Sequence, residues 1–110
     1  MADIRQARTA LVARILEGDG EASHAQRRAA FDNAGLTEPL RTLNNKLTNH
    51  AEMVTDDDIV AAGAAGLSED QIFEVVVCGA IGHATRQYDV ALAALRAATE
   101  RSEHAPRDPR

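Results

Sequence analysis

The chain has little of what most chemical sites and large cores need. Its 110 residues include one cysteine and no tryptophan, and only 3% of them are aromatic. A single cysteine excludes an intrachain disulfide and a CxxC redox or zinc motif, and it suits a reducing compartment. No apolar run approaches the ~20 residues of a membrane span, and the N-terminal residues lack the apolar segment of a signal peptide. We therefore expect a soluble cytoplasmic protein.

Positive charge is also scarce. The formal net charge is −5, and the sequence pI is about 5.3. Nucleic-acid binding needs a basic face that neutralises phosphates, so this balance disfavours it. The pair Arg27-Arg28 is too small to reverse the balance and is predicted to lie on a solvated helix face. A DNA-binding regulator is accordingly the weakest hypothesis.

Motifs for cofactors and metals are missing as well. The sequence contains no glycine-rich phosphate loop, no GxSxG and no HExxH, and its four histidines show no i, i+4 pairing. Asp56, Asp57 and Asp58 follow Thr55 without the alternation and glycine of a calcium loop. Their position favours neutralisation of a helix dipole. No cofactor and no metal is predicted.

What the sequence does contain is helical periodicity from end to end. Caps, stops and apolar spacing predict an all-α fold of about five helices with no strand. The expected helices run from roughly Asp3 to Glu17, from Ser23 to Gly35, from Thr37 along a stripe ending at Val54, from Thr55 to Gly66, and from Glu69 to about Thr99. Residues 1–99 are predicted to form one domain, and residues 100–110 a disordered polar tail.

The predicted core is thin. Alanine supplies much of the 45% hydrophobic content and buries little surface per residue. A lone alanine-rich domain of this size should be marginal, so a homo-oligomer that shares a core is the natural remedy.

Cys78 lies in the most apolar part of the last helix, and two interpretations stay open. A buried structural thiol is favoured, because burial disfavours the reactive thiolate. The alternative is a reactive thiol assisted by a histidine. His83 on the same helix points about 140° away from Cys78, whereas His50, from the third helix, could approach it. His50 is otherwise interpreted as a core or interface residue.

Glu74 is the most conspicuous polar residue, since it lies between Phe73 and three valines. A buried carboxylate needs a cation or a hydrogen-bond donor, and Arg41, Lys46 or Arg86 could supply one. The alternative is a general base.

Gly79 and Gly82 lower the helix propensity of the same segment, and the reason we infer for them is close approach of another helix backbone. The polar residues that follow, His83 and Arg86 among them, mark either a ligand pocket or a subunit contact.

Part of the chain resembles a known family. Lys46-Leu47-Thr48, Val54–Ile59 and the Ala-Gly-Leu-Ser turn within Ala64–Glu74 are similar to AhpD-like proteins, the alkylhydroperoxidase and carboxymuconolactone decarboxylase superfamily. The similarity runs from about Leu40 to Leu95. It implies an all-helical fold that assembles as a dimer, trimer or hexamer.

The resemblance does not carry over a catalytic residue. Active peroxidases of that family use C-x-x-C-x-x-x-H, but here Ile81 and Thr85 stand three and seven residues after Cys78. The sequence therefore predicts a non-redox AhpD-like homo-oligomer that binds a small molecule or a protein partner, in the second case as an accessory to an enzyme. The alternative is an enzyme of the same superfamily that uses Cys78 or Glu74 with a histidine, His50 or His83.

Overall fold

Residues 2–104 are described by the computed structural model, and within this range the secondary structure is helical throughout, with no strand. The predicted all-α architecture of five helices with a long last helix is confirmed. The helices are α1 (Ala2–Glu17), α2 (His24–Asp32), α3 (Leu40–Asn49), α4 (Asp56–Ala64) and α5 (Glu69–His104), with a single 3-10 turn at Ala51–Met53.

Helix α5 is the longest helix of the molecule. Its 36 residues span about 54 Å at the usual helical rise. The other four helices pack beside it, and α1 runs antiparallel to it, since Ile15 lies against Cys78 while Arg8 pairs with Asp89 at 2.6 Å. The buried apolar core lies between α5 and the shorter helices and consists of Leu16, Ala22, Ala30, Leu36, Leu40, Leu43, Ala62, Ile72, Val75 and Cys78.

Both glycines of α5 lie at close contacts, and the predicted approach of another helix backbone is confirmed at Gly82 but not at Gly79, where the neighbour is a side chain. A side chain at Gly79 would collide with the Asn44 side chain of α3. A side chain at Gly82 would collide with the backbone of α2 at Phe31, whose carbonyl carbon and Cα lie only 2.7 and 2.8 Å from the position of an added Cβ.

Helix starts follow the capping signals in the sequence. The Ser23 hydroxyl accepts a hydrogen bond from the backbone N–H of Gln26 at the start of α2. At the start of α5, Ser68 and Gln71 form the reciprocal capping box, with distances of 2.8 and 3.1 Å. Local chemistry thus sets where these helices begin.

The acidic start of α4 contains a specific ion pair. Asp58 accepts the backbone N–H of Thr55 at 2.9 Å and the Lys46 ammonium from α3 at 2.9 Å. The Thr55 N–H and then the Lys46 cation lower the pKa of the Asp58 carboxyl below its usual value. Asp58 therefore ties α4 to α3, besides lying where a helix dipole favours negative charge.

The connection between α2 and α3 differs from the prediction. Helix α2 ends at Asp32, because Asn33 adopts the left-handed conformation (φ 51°) that a terminating residue needs. Gly35, the predicted stop, lies in the following turn with φ 91°. Helix α3 begins at Leu40 after Pro39, and Thr37 is not its N-cap.

The predicted stripe of the third helix is interrupted at His50. Its backbone is not helical (φ −149°, ψ 62°), so α3 ends at Asn49 and a 3-10 turn follows. The His50 side chain is 64% exposed. The assignment of His50 to the core of the chain is wrong, since the break in the helix rotates it away from the apolar face.

The last helix is longer than predicted. It continues through residues 100–104 to His104 instead of ending near Thr99. The rest of the predicted disordered tail, residues 105–110, lies outside the described residues. Within residues 2–104, no helix combines the length and apolar character needed to cross a bilayer.

Candidate functional site

A cleft of about 680 Å³ opens between the C-terminal half of α1, the loop that follows it, and α5. It brings together Glu74 and Cys78, two of the candidate residues. Its lining consists of Leu11, Arg14, Ile15, Gly18, Asp19, Gly20, Arg27, Phe73, Glu74, Val77 and Cys78.

Arg27 on α2 is the most deeply buried charged residue of this lining, only 4% exposed. Its Nε donates to the Ala22 carbonyl at 3.1 Å, and its Nη1 donates to the carbonyls of Ile15 and Gly18 at 3.3 and 2.7 Å. Those acceptors include carbonyls at the C-terminal end of α1, where a cation is favourable. Arg27 forms no ion pair with any carboxylate of residues 3–103, so its hydrogen-bond partners there are main-chain carbonyls.

Glu74 binds the loop between α1 and α2 through the loop's N–H groups. Its carboxylate accepts the backbone N–H of Glu21 at 2.9 Å and that of Ala22 at 3.3 Å. It lies so close to Gly20 that a Cβ there would collide with Oε1. Glu74 therefore positions the loop between α1 and α2.

The prediction that a cation pairs with Glu74 is wrong, since none of the three candidate cations contacts its carboxylate. Arg41 pairs with Glu38 at 2.9 Å, Lys46 pairs with Asp58, and Arg86 donates to the Phe31 carbonyl. Two main-chain donors satisfy the carboxylate instead, an arrangement that spacing along the sequence cannot indicate because the donors come from a loop 52–53 residues away.

Cys78 lies on the floor of the cleft, 1% exposed, and its Sγ lies 3.5 Å from the Ile15 carbonyl, to which the thiol donates. Burial raises the pKa of the Cys78 thiol above its usual value; the Arg27 charge opposes this rise and the Glu74 charge adds to it. Each of these features except the Arg27 charge disfavours the thiolate, which agrees with the interpretation as a structural cysteine.

Apolar side chains form the rest of the cleft wall. Leu11 and Phe73 are 47% and 58% exposed, and Ile15 and Val77 are half-buried between them. An apolar wall beside a few convergent polar groups is typical of sites for small organic ligands.

His83 and His50 do not join this cleft. His83 lines a second, more open cleft of about 560 Å³ on another side of α5, in agreement with its predicted direction away from Cys78. Arg86 lies beside it, with Nη1 2.5 Å from the Phe31 carbonyl at the end of α2. His50 lies 3.6 Å from Glu52 on the exposed 3-10 turn. Neither histidine lines the cleft that contains Cys78.

Arg27 is the site residue that sequence reasoning missed. The pair Arg27-Arg28 was expected on a solvated face, but only Arg28 is exposed, while Arg27 is buried. The available signal was weak: Arg27 precedes the buried Ala30 by three residues, which places both on one face of α2.

The fold and the cleft define an all-helical protein with a space large enough for a small organic ligand. Among residues 3–103, no cluster of side chains suits a metal ion. Comparison with known proteins adds no closer identity: no family model, no curated protein and no solved structure is significantly similar to the chain.

Proposed function

We propose that this chain is a non-redox AhpD-like helical protein that forms a homo-oligomer and binds a small molecule in the Arg27 cleft. The observation that carries the binding proposal is the convergence of buried Arg27 and Cys78 and half-buried Glu74 with an apolar wall around a space of about 680 Å³. A cytoplasmic location fits the free thiol of Cys78.

The AhpD-like part of the proposal has two supports. One is the residue pattern around the Ala-Gly-Leu-Ser turn, which precedes α5. The other is the architecture of five helices with a long last one. The absence of a second cysteine from the sequence separates this chain from the peroxidases of that superfamily. The enzymatic alternative through Cys78 has less support, because the thiol is buried and its pKa is raised.

The oligomer proposal is supported by the shape of the single chain. Its radius of gyration is 18.6 Å, whereas a compact domain of this length has about 13 Å. Its accessible surface is 7836 Å², against roughly 5,900 Å² for a typical monomer of its mass. Every residue from Ala93 to Glu103 is exposed, as is Leu95 at 62%. An isolated helical segment of this length is marginal in water, so a second copy packed along α5 would stabilise it.

We expect light scattering coupled to size exclusion to give a mass at least twice the 11.8 kDa of one chain. Leu95→Glu should dissociate the assembly, because it puts a charge on the face that we assign to the partner copy. Val60→Glu is the matched control, since Val60 is 66% exposed but lies on α4. A monomeric wild-type protein would contradict the oligomer, and dissociation by the Val60 variant alone would move the interface to α4.

Binding in the cleft can be tested with Nile red, a neutral apolar fluorophore. We expect one saturable site per chain, and Val77→Trp should weaken binding about tenfold, the equivalent of about 1.4 kcal/mol, by filling the cleft. Val90→Trp makes the same change on the same helix at a 70% exposed position outside this cleft. If both variants bind the dye as the wild type does, the cleft is not the binding site.

A further inference from the structure

We propose that the Arg27 cleft recognises a small amphipathic carboxylate, whose oxygens accept hydrogen bonds from the free edge of the Arg27 guanidinium and whose tail lies against Leu11, Phe73 and Val77. This inference rests on the proposed binding function and names its ligand class.

The free edge is identified by counting donors. A guanidinium has five N–H groups. The Nε–H and Nη1 of Arg27 are directed at three main-chain carbonyls, and no hydrogen bond from Nη2 to residues 3–103 is formed. Within the described chain, the fully enclosed side-chain polar atoms without a partner are Asn44 Oδ1 and Thr48 Oγ1, so Nη2 is not among them. Arg27 is 4% exposed and lines the cleft, so we assign its remaining accessible surface, and Nη2 with it, to the cleft.

The charge of Arg27 favours an anion as the partner of that edge. A buried cation without a counter-ion is costly, and carbonyl dipoles compensate it only in part. Of the two acidic residues of the lining, Glu74 already accepts two main-chain N–H groups and forms no ion pair with Arg27. The other two charged residues of the lining, Arg14 and Asp19, are exposed and of opposite sign. A bound carboxylate would give Arg27 a directly paired anion through charge-assisted hydrogen bonds.

The size and lining of the cleft determine the rest of the ligand. Two free N–H groups suit a singly charged carboxylate better than a phosphate dianion, which needs more donors. A space of about 680 Å³ is far larger than a carboxylate alone. Leu11, Phe73 and Val77 offer apolar contact to a hydrocarbon tail, and the exposure of Leu11 and Phe73 leaves the cleft open to entry.

The test compares three probes with the same tail: octanoate, octanol and octylamine. Calorimetric titration of the full chain should show octanoate binding about tenfold more tightly than either of the others, which corresponds to about 1.4 kcal/mol for the charged head group. One outcome is that octanol binds as tightly as octanoate while Val77→Trp still weakens the binding of Nile red. In that case the proposed binding function stands and the assignment to a carboxylate is wrong. If Val77→Trp weakens the binding of neither Nile red nor octanoate, both proposals fail.

Charge variants locate the recognising group. Arg27→Gln should remove the preference for octanoate over octanol, whereas Arg14→Gln, which removes an exposed guanidinium from the same lining, should change it less than about twofold. The reverse result would place recognition at the cleft rim and overturn the assignment to Arg27.

A second pair of variants avoids disturbing the Arg27 hydrogen bonds. Leu11 is 47% exposed, so a polar residue there is tolerated. Compared with Leu11→Gln, Leu11→Glu should weaken octanoate binding severalfold by repulsion between like charges and leave octanol binding unchanged. Equal octanoate affinity of the two variants would contradict binding in this cleft.

Discussion

Gly82→Ala is expected to lower the free energy of unfolding by about 2–3 kcal/mol, although alanine is the better helix former by about 1 kcal/mol. The added methyl group would collide with the Phe31 backbone, where α2 rests on α5. Backbone atoms cannot rotate away, so the two helices must separate. The separation would also disturb the bond from Arg86 to the Phe31 carbonyl. Gly82→Leu should prevent folding.

The measurement is urea unfolding followed by far-UV circular dichroism. Gly63→Ala is the matched control, because Gly63 is also inside a helix, α4, but has no atom within 4 Å of an added Cβ. That variant should gain up to about 1 kcal/mol from helix propensity alone. If both substitutions stabilise the protein equally, α2 and α5 are not in contact at Gly82.

Arg27→Met is expected to cost about 3 kcal/mol or more. Methionine can occupy much of the same space but leaves the carbonyls of Gly18 and Ala22 without their Arg27 donor. The Ile15 carbonyl also loses Arg27 but keeps the Cys78 thiol as a donor. A buried acceptor left unsatisfied costs about 1–3 kcal/mol. The loop between α1 and α2 should then loosen, and the wall of the cleft with it.

Thermal unfolding should show this loss as a lower Tm, with Arg28→Met as the control on the same helix. Arg28 is exposed and lies 3.9 Å from Asp32, a contact that contributes little. Its replacement should change stability by less than about 0.5 kcal/mol. Equal effects of the two variants would mean that Arg27 does not hold the loop.

Arg27 has two roles, one in the stability of the loop and one, as proposed above, in ligand recognition. Arg27 and Glu74 both hold the loop between α1 and α2, the first through the loop's carbonyls and the second through its N–H groups. The bonds that Arg27 makes to the loop also orient its free edge. Stability and ligand recognition should therefore be separable only at positions such as Leu11, which lines the cleft without taking part in those bonds.

Local features of the fold could be predicted from the sequence because they depend on neighbours in the chain. Ser68 with Gln71 sets the start of α5, and the apolar spacing indicated all five helices. Gly82 was correctly assigned to a close helix contact, since a glycine inside a long helix needs a packing reason.

The candidate site shows the limit of such reasoning. Cys78 and Glu74 were found because they stand out on an apolar helix, and the direction of His83 followed from helix geometry. The helix break at His50 was missed, because periodicity across residues 40–54 continues through it. The partners of Glu74 were missed because they are main-chain N–H groups of a loop 52–53 residues away. The burial of Arg27 was missed because its acceptors are main-chain carbonyls, which no side-chain pattern in the sequence marks.

By itself, then, the sequence determined the helical class, the starts of α2, α4 and α5 and the lack of a second thiol, all of which depend on residue type and short-range spacing. Only the tertiary structure decided which polar groups lie together. Arg27 became a buried cation beside Cys78 when α1, α2 and α5 came into contact, since burial and hydrogen-bond partners are properties of packing between segments far apart in the chain.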